Sequence, residues 1–341
     1  MNRIAAPLLR TASSGALFLA LAAAFFVLIG RNPLTLIAQI VDASVGSGYA
    51  LSESLVRATP ILLCALATAV PARAGLVSVG AEGQLYFGAL VGTGFVLAQM
   101  QASTLLPGML IAGMVGGALW AALPALLRIG LAVNETISTL LLNYVASLLV
   151  VWVVFGPWKN PASQGWPATA EFPPPALPPT WFDSRIHLGL WLGIAAAVAL
   201  HLVLTRTRWG LALDVIRGNP RVARLAGLDP RRWMLATMLV GGSLAGLAGI
   251  LETASIQGRL QANLSAGAGF SGFLVAWLAG NDCLRIIPLA FLVGALLAAG
   301  DGIQMLANVP SSVTLVAQGL LFVAVLFVDG WRRTRGIGIR P

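Results

Sequence analysis

Apolar residues in this chain gather in long runs instead of marking one face of each element. Runs at about 13–30, 51–70, 80–100, 105–127, 135–155, 187–205, 233–251, 269–281, 286–303 and 312–329 carry few charges, and a helix needs roughly 20 apolar residues to cross a bilayer core. The pattern predicts an all-α, polytopic membrane protein with about ten transmembrane helices in a single domain over 1–341. The run 269–281 is too short for one straight crossing, so it either extends into Gly267–Gly269 or is a broken, partly re-entrant segment. The basic stretch Met1–Arg10 followed by apolar Gly15–Ile29 resembles a leader, but apolar segments continue to the last residues, so the first run is expected to be a retained span.

Two polar interruptions stand out. One, 156–186, holds eight prolines between Pro157 and Pro179 and the tryptophans Trp158, Trp166 and Trp181. Proline at that density predicts extended backbone, and the loop reads either as an interfacial aromatic belt or as a docking surface for an external binding protein. The other, 206–232, carries seven arginines against Asp214 and Asp229. Within it Asn219-Pro220 reads as an N-cap with proline at the first helical position, and Gly227 as a stop. A short basic helix on the surface between two spans reads as a docking element for a soluble partner, with Arg217, Gly218, Asn219, Pro220, Arg221, Ala223, Arg224 and Gly227 as its candidate contacts. An ordinary positive-inside loop is the competing reading.

Charge then orients the chain. With both termini cytoplasmic, sixteen of the 21 basic residues fall on that side and five, Arg31, Arg57, Lys159, Arg185 and Arg259, on the other. Composition agrees with the membrane reading: 58% of residues are hydrophobic and 10% charged, against about 25% charged in soluble domains. The net charge of +9 does not point to nucleic acid, because the arginines sit in gaps between apolar runs and form no basic face interleaved with aromatics.

Spans two to five and seven to ten lie five crossings apart, so corresponding spans run in opposite directions, as inverted repeats require. The glycine-rich segment Ser78–Gly94 has a counterpart in Ser265–Gly280. Glycines there fit a transport pathway or simply close helix packing.

Chemistry is sparse. The single lysine, Lys159, is followed by Asn160 and cannot serve a phosphate-binding loop. Gly267–Gly272 fits a dinucleotide fingerprint on paper but lacks the βαβ unit that would use it. Cys64 and Cys283 read as structural, and His187 and His201, fourteen residues apart, lack metal spacing. No catalytic or metal-ligating set is readable, so an enzyme is not expected. What remains is polar groups in or near apolar helices: Glu82 and Gln84 at the start of one span, and Ser138, Thr139 and Asn143 within another. A carboxylate inside a span is costly and marks a candidate functional site; the alternative for Glu82 is a cap at a helix N-terminus. A pathway of amides and hydroxyls suits a neutral polyhydroxylated solute better than an ion.

Three segments carry a family resemblance. Gly75–Gln84 (GLVSVGAEGQ) resembles G-L-F-N-I-G-x-E-G-Q; Asn134–Tyr144 (NETISTLLLNY) resembles N-E-V-I-S-T-L-M-L-N-Y; and Gly218–Leu228 is followed by Gly242–Gly249 (GSLAGLAG). The chain resembles permease subunits of bacterial ABC importers in the branched-chain amino acid and ribose-type superfamily, most closely the nucleoside or simple-sugar branch. The resemblance implies a subunit of the bacterial cytoplasmic membrane. Its implied partners are a second permease, cytosolic ATPase subunits that use the ATP, and an external solute-binding lipoprotein. No cofactor of its own is implied. Nucleosides are the expected solute, with simple sugars the alternative. One departure is Asp214-Val-Ile-Arg217-Gly218, where the family often has Arg-Ala-Val-Gly before Asn-Pro. An ion-coupled secondary transporter remains a different class; it would call for several intramembrane acids, and here only Glu82 and Glu252 offer themselves.

Overall fold

A computed structural model describes residues 5–99, 104–163, 166–307 and 310–334. The described chain is mostly helical. It comprises α1 (Ala5–Leu28), α2 (Pro33–Val45), α3 (Gly48–Arg73), α4 (Ala81–Ala98), α5 (Leu105–Leu131), α6 (Glu135–Phe155), α7 (Leu188–Arg206), α8 (Arg208–Gly218), α9 (Pro220–Leu225), α10 (Pro230–Glu252), α11 (Ala268–Leu278), α12 (Cys283–Ala307) and α13 (Ser312–Thr334). Each apolar run predicted from the sequence coincides with one of these helices.

Among the described residues, six helices are long and apolar enough to cross a membrane, and a seventh span is added if Ser13–Leu28 and Pro33–Val45, bent by 112°, form one broken crossing. The remaining expected spans fall short for physical reasons. The first turn of α4 holds Glu82 and Gln84. The apolar part of α13 is Ser312–Val328. Helix α11 has only 11 residues, about 16 Å at 1.5 Å per residue.

The chain divides into two compact units, Met1–Arg57 with Val293–Pro341, and Ala58–Leu292. The division falls inside the continuous helices α3 and α12. In the first unit Ala22, Phe26, Leu36, Ile303 and Val313 form a core, and Arg57 pairs with Asp301 at 2.7 Å. That pair is exposed and contributes little.

The second unit is built on α4, α5 and α10, whose packing depends on glycine. A methyl group added at Gly246 of α10 would overlap the Gly113 carbonyl oxygen of α5, and one at Gly117 would overlap the Gly242 carbonyl. The helices therefore touch backbone to backbone, the arrangement that small residues permit in apolar surroundings. Helix α10 ends in a π-helical turn, Thr253–Gln257, closed by left-handed Gly258 (φ 64°).

The proline-rich loop is more ordered than extended polyproline. It contains a 3-10 turn at Pro174–Ala176 and a two-stranded hairpin, β1 (Thr180–Trp181) with β2 (Ile186–His187). It is also tied to the chain beyond the π-helical turn: the Phe172 N–H donates to the Gly258 carbonyl at 2.8 Å and the Thr169 N–H to that of Leu260 at 3.0 Å. Backbone pairing of this kind gives the loop partners that proline itself cannot provide.

Candidate functional site

Helix α6 begins where the sequence says it should. The Asn134 side chain accepts from the N–H groups of Thr136 and Ile137, satisfying donors that the first turn leaves unpaired. From that start, polar side chains one and two turns apart line up along α6 and bind the segment leading into α4. Glu135 Oε1 accepts from the Val77 N–H at 3.3 Å, while the Thr136 hydroxyl donates to the Val77 carbonyl at 2.9 Å. One turn on, Thr139 Oγ1 accepts from the Val79 N–H at 3.2 Å. A further turn on, Asn143 donates through Nδ2 to the Val79 carbonyl and accepts through Oδ1 from the Gly83 N–H, both at 2.8 Å. The two motif segments are thus laced together, residue by residue. Glu135 is also paired with Arg128 at 3.3 Å, so its carboxylate is neutralised where it enters the helix.

Glu82 and Tyr86, one turn apart on α4, hold the turn before α11. Glu82 Oε2 accepts from the Gly269 N–H at 2.7 Å, and the Ser265 hydroxyl and Phe270 N–H are placed to donate to the same carboxyl. Tyr86 Oη accepts from the Ser265 N–H at 3.4 Å. A carboxylate at a helix N-terminus is favoured by the unpaired N–H groups and the helix dipole, which accounts for an acid buried this deep. Glu82 caps a helix other than its own. The approach requires glycine at 269, where a methyl group would collide with the Glu82 backbone.

At the surface, the predicted short helix is present as α9, with the predicted cap. Asn219 Oδ1 accepts from the N–H of Arg221 at 2.9 Å and of Val222 at 3.4 Å. Gly227, at φ 78°, ends the turn, and Asp229 caps α10 through the Arg231 N–H. Arg221, Arg224 and Gly227 are exposed.

A protein-family model for the branched-chain amino acid transport system permease component matches residues 50–326. The chain belongs to that permease family. It is 34% identical to the glucose ABC transporter permease protein TsgB13 of Haloferax volcanii, over 94% of this chain and 87% of the relative. It is 29% identical to the guanosine ABC transporter permease protein NupP of Bacillus subtilis, over 91% and 95%. A third relative is the nucleoside ABC transporter permease protein NupB of Lactococcus lactis subsp. cremoris, 28% identical over 90% of this chain and 88% of the relative. Among solved structures, PsaBC from Streptococcus pneumoniae aligns with a TM-score of 0.50 at 12% identity, over 88% of this chain and 99% of that one, a likeness of fold alone. The molecule is an ABC-type transport permease of the branched-chain, nucleoside and sugar kind.

Within this permease the expected polar residues are buried, and several already have partners. Thr139 is 1% and Asn143 3% exposed, with their hydrogen bonds directed to the chain itself. Ser138 donates to the Glu135 carbonyl, and Gln84 is buried in the first turn of α4. Of the surface set, Ala223 is fully buried, so its small side chain seats α9 on the permease. The outward face of α9 adds two apolar residues that the sequence reading passed over, Val222 at 52% and Leu225 at 90% exposure. Leu225 had a readable signal, as a large apolar residue among arginines. Asp214, at the family departure, pairs with Arg73 at 3.3 Å. Both cysteines are free and buried.

Proposed function

We propose that this permease subunit imports nucleosides across the bacterial cytoplasmic membrane. In this reading it works with a second permease, with cytosolic ATPase subunits that use the ATP, and with an external solute-binding lipoprotein. The observation that carries it is the lacing of Val77–Gly83 to Asn143 and its neighbours on α6. The two segments most like the nucleoside branch form one polar seam inside an apolar bundle. NupP and NupB are similar along nearly the whole chain. A simple-sugar permease is the second reading, favoured by the similarity to TsgB13 at 34% identity.

The bundle has ten membrane segments on this reading, α11 being a half-length one whose N-terminus meets Glu82. Both termini are cytoplasmic, and α9 faces the ATPase. Ser78–Gly94 and Ser265–Gly280 are then related halves: each enters a helix three residues after its serine, at Ala81 and Ala268. Glu82, Gln84, Ser138, Thr139 and Asn143 border the solute path and are exposed to it when the halves rock apart. Arg217, Gly218, Asn219, Pro220, Arg221, Ala223, Arg224 and Gly227 form or support the coupling surface.

The test is uptake. Cells expressing this chain with its ATPase, permease and binding-protein partners should accumulate labelled guanosine or uridine, and a Walker-lysine variant of the ATPase should abolish this. Accumulation of glucose or ribose with no nucleoside uptake would move the assignment to the sugar reading. Accumulation driven by an ion gradient without the ATPase would overturn the ABC mechanism.

A further inference from the structure

A pocket of about 220 Å³ opens beside the laced segment, with Thr68, Gly75, Ser78, Arg217, Phe273 and Trp277 in its wall. It is smaller than the roughly 300–1,000 Å³ of sites for drug-sized ligands, with room for one small ring system and its substituent. Its chemistry is specific. Phe273 and Trp277 stand edge to face, ring centroids 5.4 Å apart at 76°. Thr68 Oγ1 donates to the Cys64 carbonyl at 3.1 Å and can still accept, Ser78 Oγ accepts from the Gly80 N–H at 3.5 Å and can still donate, and Arg217 has no carboxylate partner among the described residues. An aromatic pair and an unneutralised arginine in one pocket wall suit a flat heterocycle with acceptor atoms on its edge, since arginine binds carbonyl and ring-nitrogen acceptors through its planar donor fork and stacks on π faces.

The location matters as much as the lining. Arg217 is in the last turn of α8, and its stem lies over Gly75, where an added methyl carbon would be 3.7 Å from Arg217 Cγ. Two residues later Asn219 closes α8 through its N–H to the Val215 carbonyl at 3.0 Å and caps α9 with its side chain. A ligand held by Arg217 is therefore held by the element that carries the coupling surface.

We propose that this pocket binds imported nucleoside on the ATPase side of the permease and that its occupancy restrains α9, so accumulated solute slows further import. The inference rests on the nucleoside reading above. By linkage, a ligand that prefers one placement of Arg217 opposes the ATPase-driven placement by its difference in affinity for the two.

Sealed vesicles carrying the complete transporter, with ATP and unlabelled guanosine trapped on the ATPase side, test this. The readout is the ratio of initial labelled-guanosine uptake with and without trapped guanosine, in which each variant's own rate cancels. Trapped guanosine should slow uptake severalfold. Trp277→Leu should raise the half-inhibiting concentration about tenfold, the order of one lost base stack, and Trp277→Phe should stay near the parent. Phe273→Leu serves the same purpose if Trp277→Leu fails to insert. Guanosine uptake indifferent to trapped guanosine, or Trp277→Leu and Phe273→Leu variants inhibited like the parent, would sink the pocket alone. A transporter that carries sugar and no nucleoside would overturn the nucleoside reading and, with it, the ligand class.

Discussion

Glu82 and Gly269 occupy the same place in two glycine-rich segments, each second in its helix, and they touch: the Glu82 carboxylate accepts from the Gly269 N–H at 2.7 Å. Glu82→Gln keeps an oxygen acceptor and should retain most of the thermal stability of the purified protein. Glu82→Leu leaves buried N–H groups unpaired, at about 1–3 kcal/mol. Equal melting temperatures for the two variants would show that the contact contributes nothing to stability.

Asn143 closes the lacing at both ends of its amide. Asn143→Leu strands the Val79 carbonyl and the Gly83 N–H, and should cost about 2 kcal/mol or more. Thr136→Val loses one hydrogen bond at an exposed site and should cost about 1 kcal/mol or less. Fluorescence-detected thermal unfolding in detergent orders the two, and the reverse order would contradict the assignment.

The glycine contacts make a sharp contrast within α5. Gly117→Ala places a methyl group on the Gly242 carbonyl, whereas the same change at Gly130 meets nothing within 4 Å. The first should destabilise by about 1–3 kcal/mol through overpacking. The second should be neutral or mildly stabilising, as alanine is in a helix. Monodisperse yield after solubilisation reports the difference.

For α9, Leu225→Asp should abolish co-purification of the ATPase without changing the permease's own melting temperature, because the side chain is 90% exposed. Asn219→Ala should loosen α9 by about 1 kcal/mol and weaken co-purification partially. A Leu225→Cys variant should react with a membrane-impermeant thiol reagent only from the cytoplasmic face; reaction from outside would invert the topology.

His187 lies in β2, before α7, where Nδ1 accepts from the Gly189 N–H at 3.2 Å. Burial, and next the Arg185 guanidinium, hold its pKa down to about 4 from 6.5. The folded state thus binds a proton less readily than the unfolded state. The associated stability is complete above about pH 6.5 and is lost as pH falls from 6.5 toward 4. His187→Asn can keep the cap without the titration, so its melting temperature should depend less on pH across that window. A parallel dependence in both proteins would exclude His187 as the source.

How legible these features were depends on distance along the chain. The Asn219-Pro220 start and Gly227 stop were readable because capping is local. The same signal at Asn32-Pro33 starts α2, a helix absent from the run-based reading because apolarity, not capping, defined the spans. The Glu82–Gly269 contact joins residues 187 apart. Nothing local in either segment announces it, although a carboxylate at the start of an apolar run did mark Glu82 as unusual. The inward face of Ala223 was equally hidden, since a six-residue helix is too short for periodicity to show which side is buried. In the proline-rich loop, proline density predicted extended backbone but not the 3-10 turn at Pro174–Ala176, and the pairing with 258–261 is set by the segment that follows α10.

Where Gly242 and Gly246 of α10 lie against Gly113 and Gly117 of α5 with carbonyls and α-carbons in contact, little cushion of side chains remains to shear. Such a joint transmits displacement and does not absorb it. Helix α10 starts within the arginine-rich stretch 206–232 and runs 23 residues, about 34 Å. A push delivered at Pro230 should therefore arrive undiminished at the far end. Compliance begins there, in the π-helical turn and Gly258, directly beside the segment that the proline-rich loop grips. The stiff strut and its soft tip would let a nucleotide-driven stroke on one side of the membrane be felt on the other.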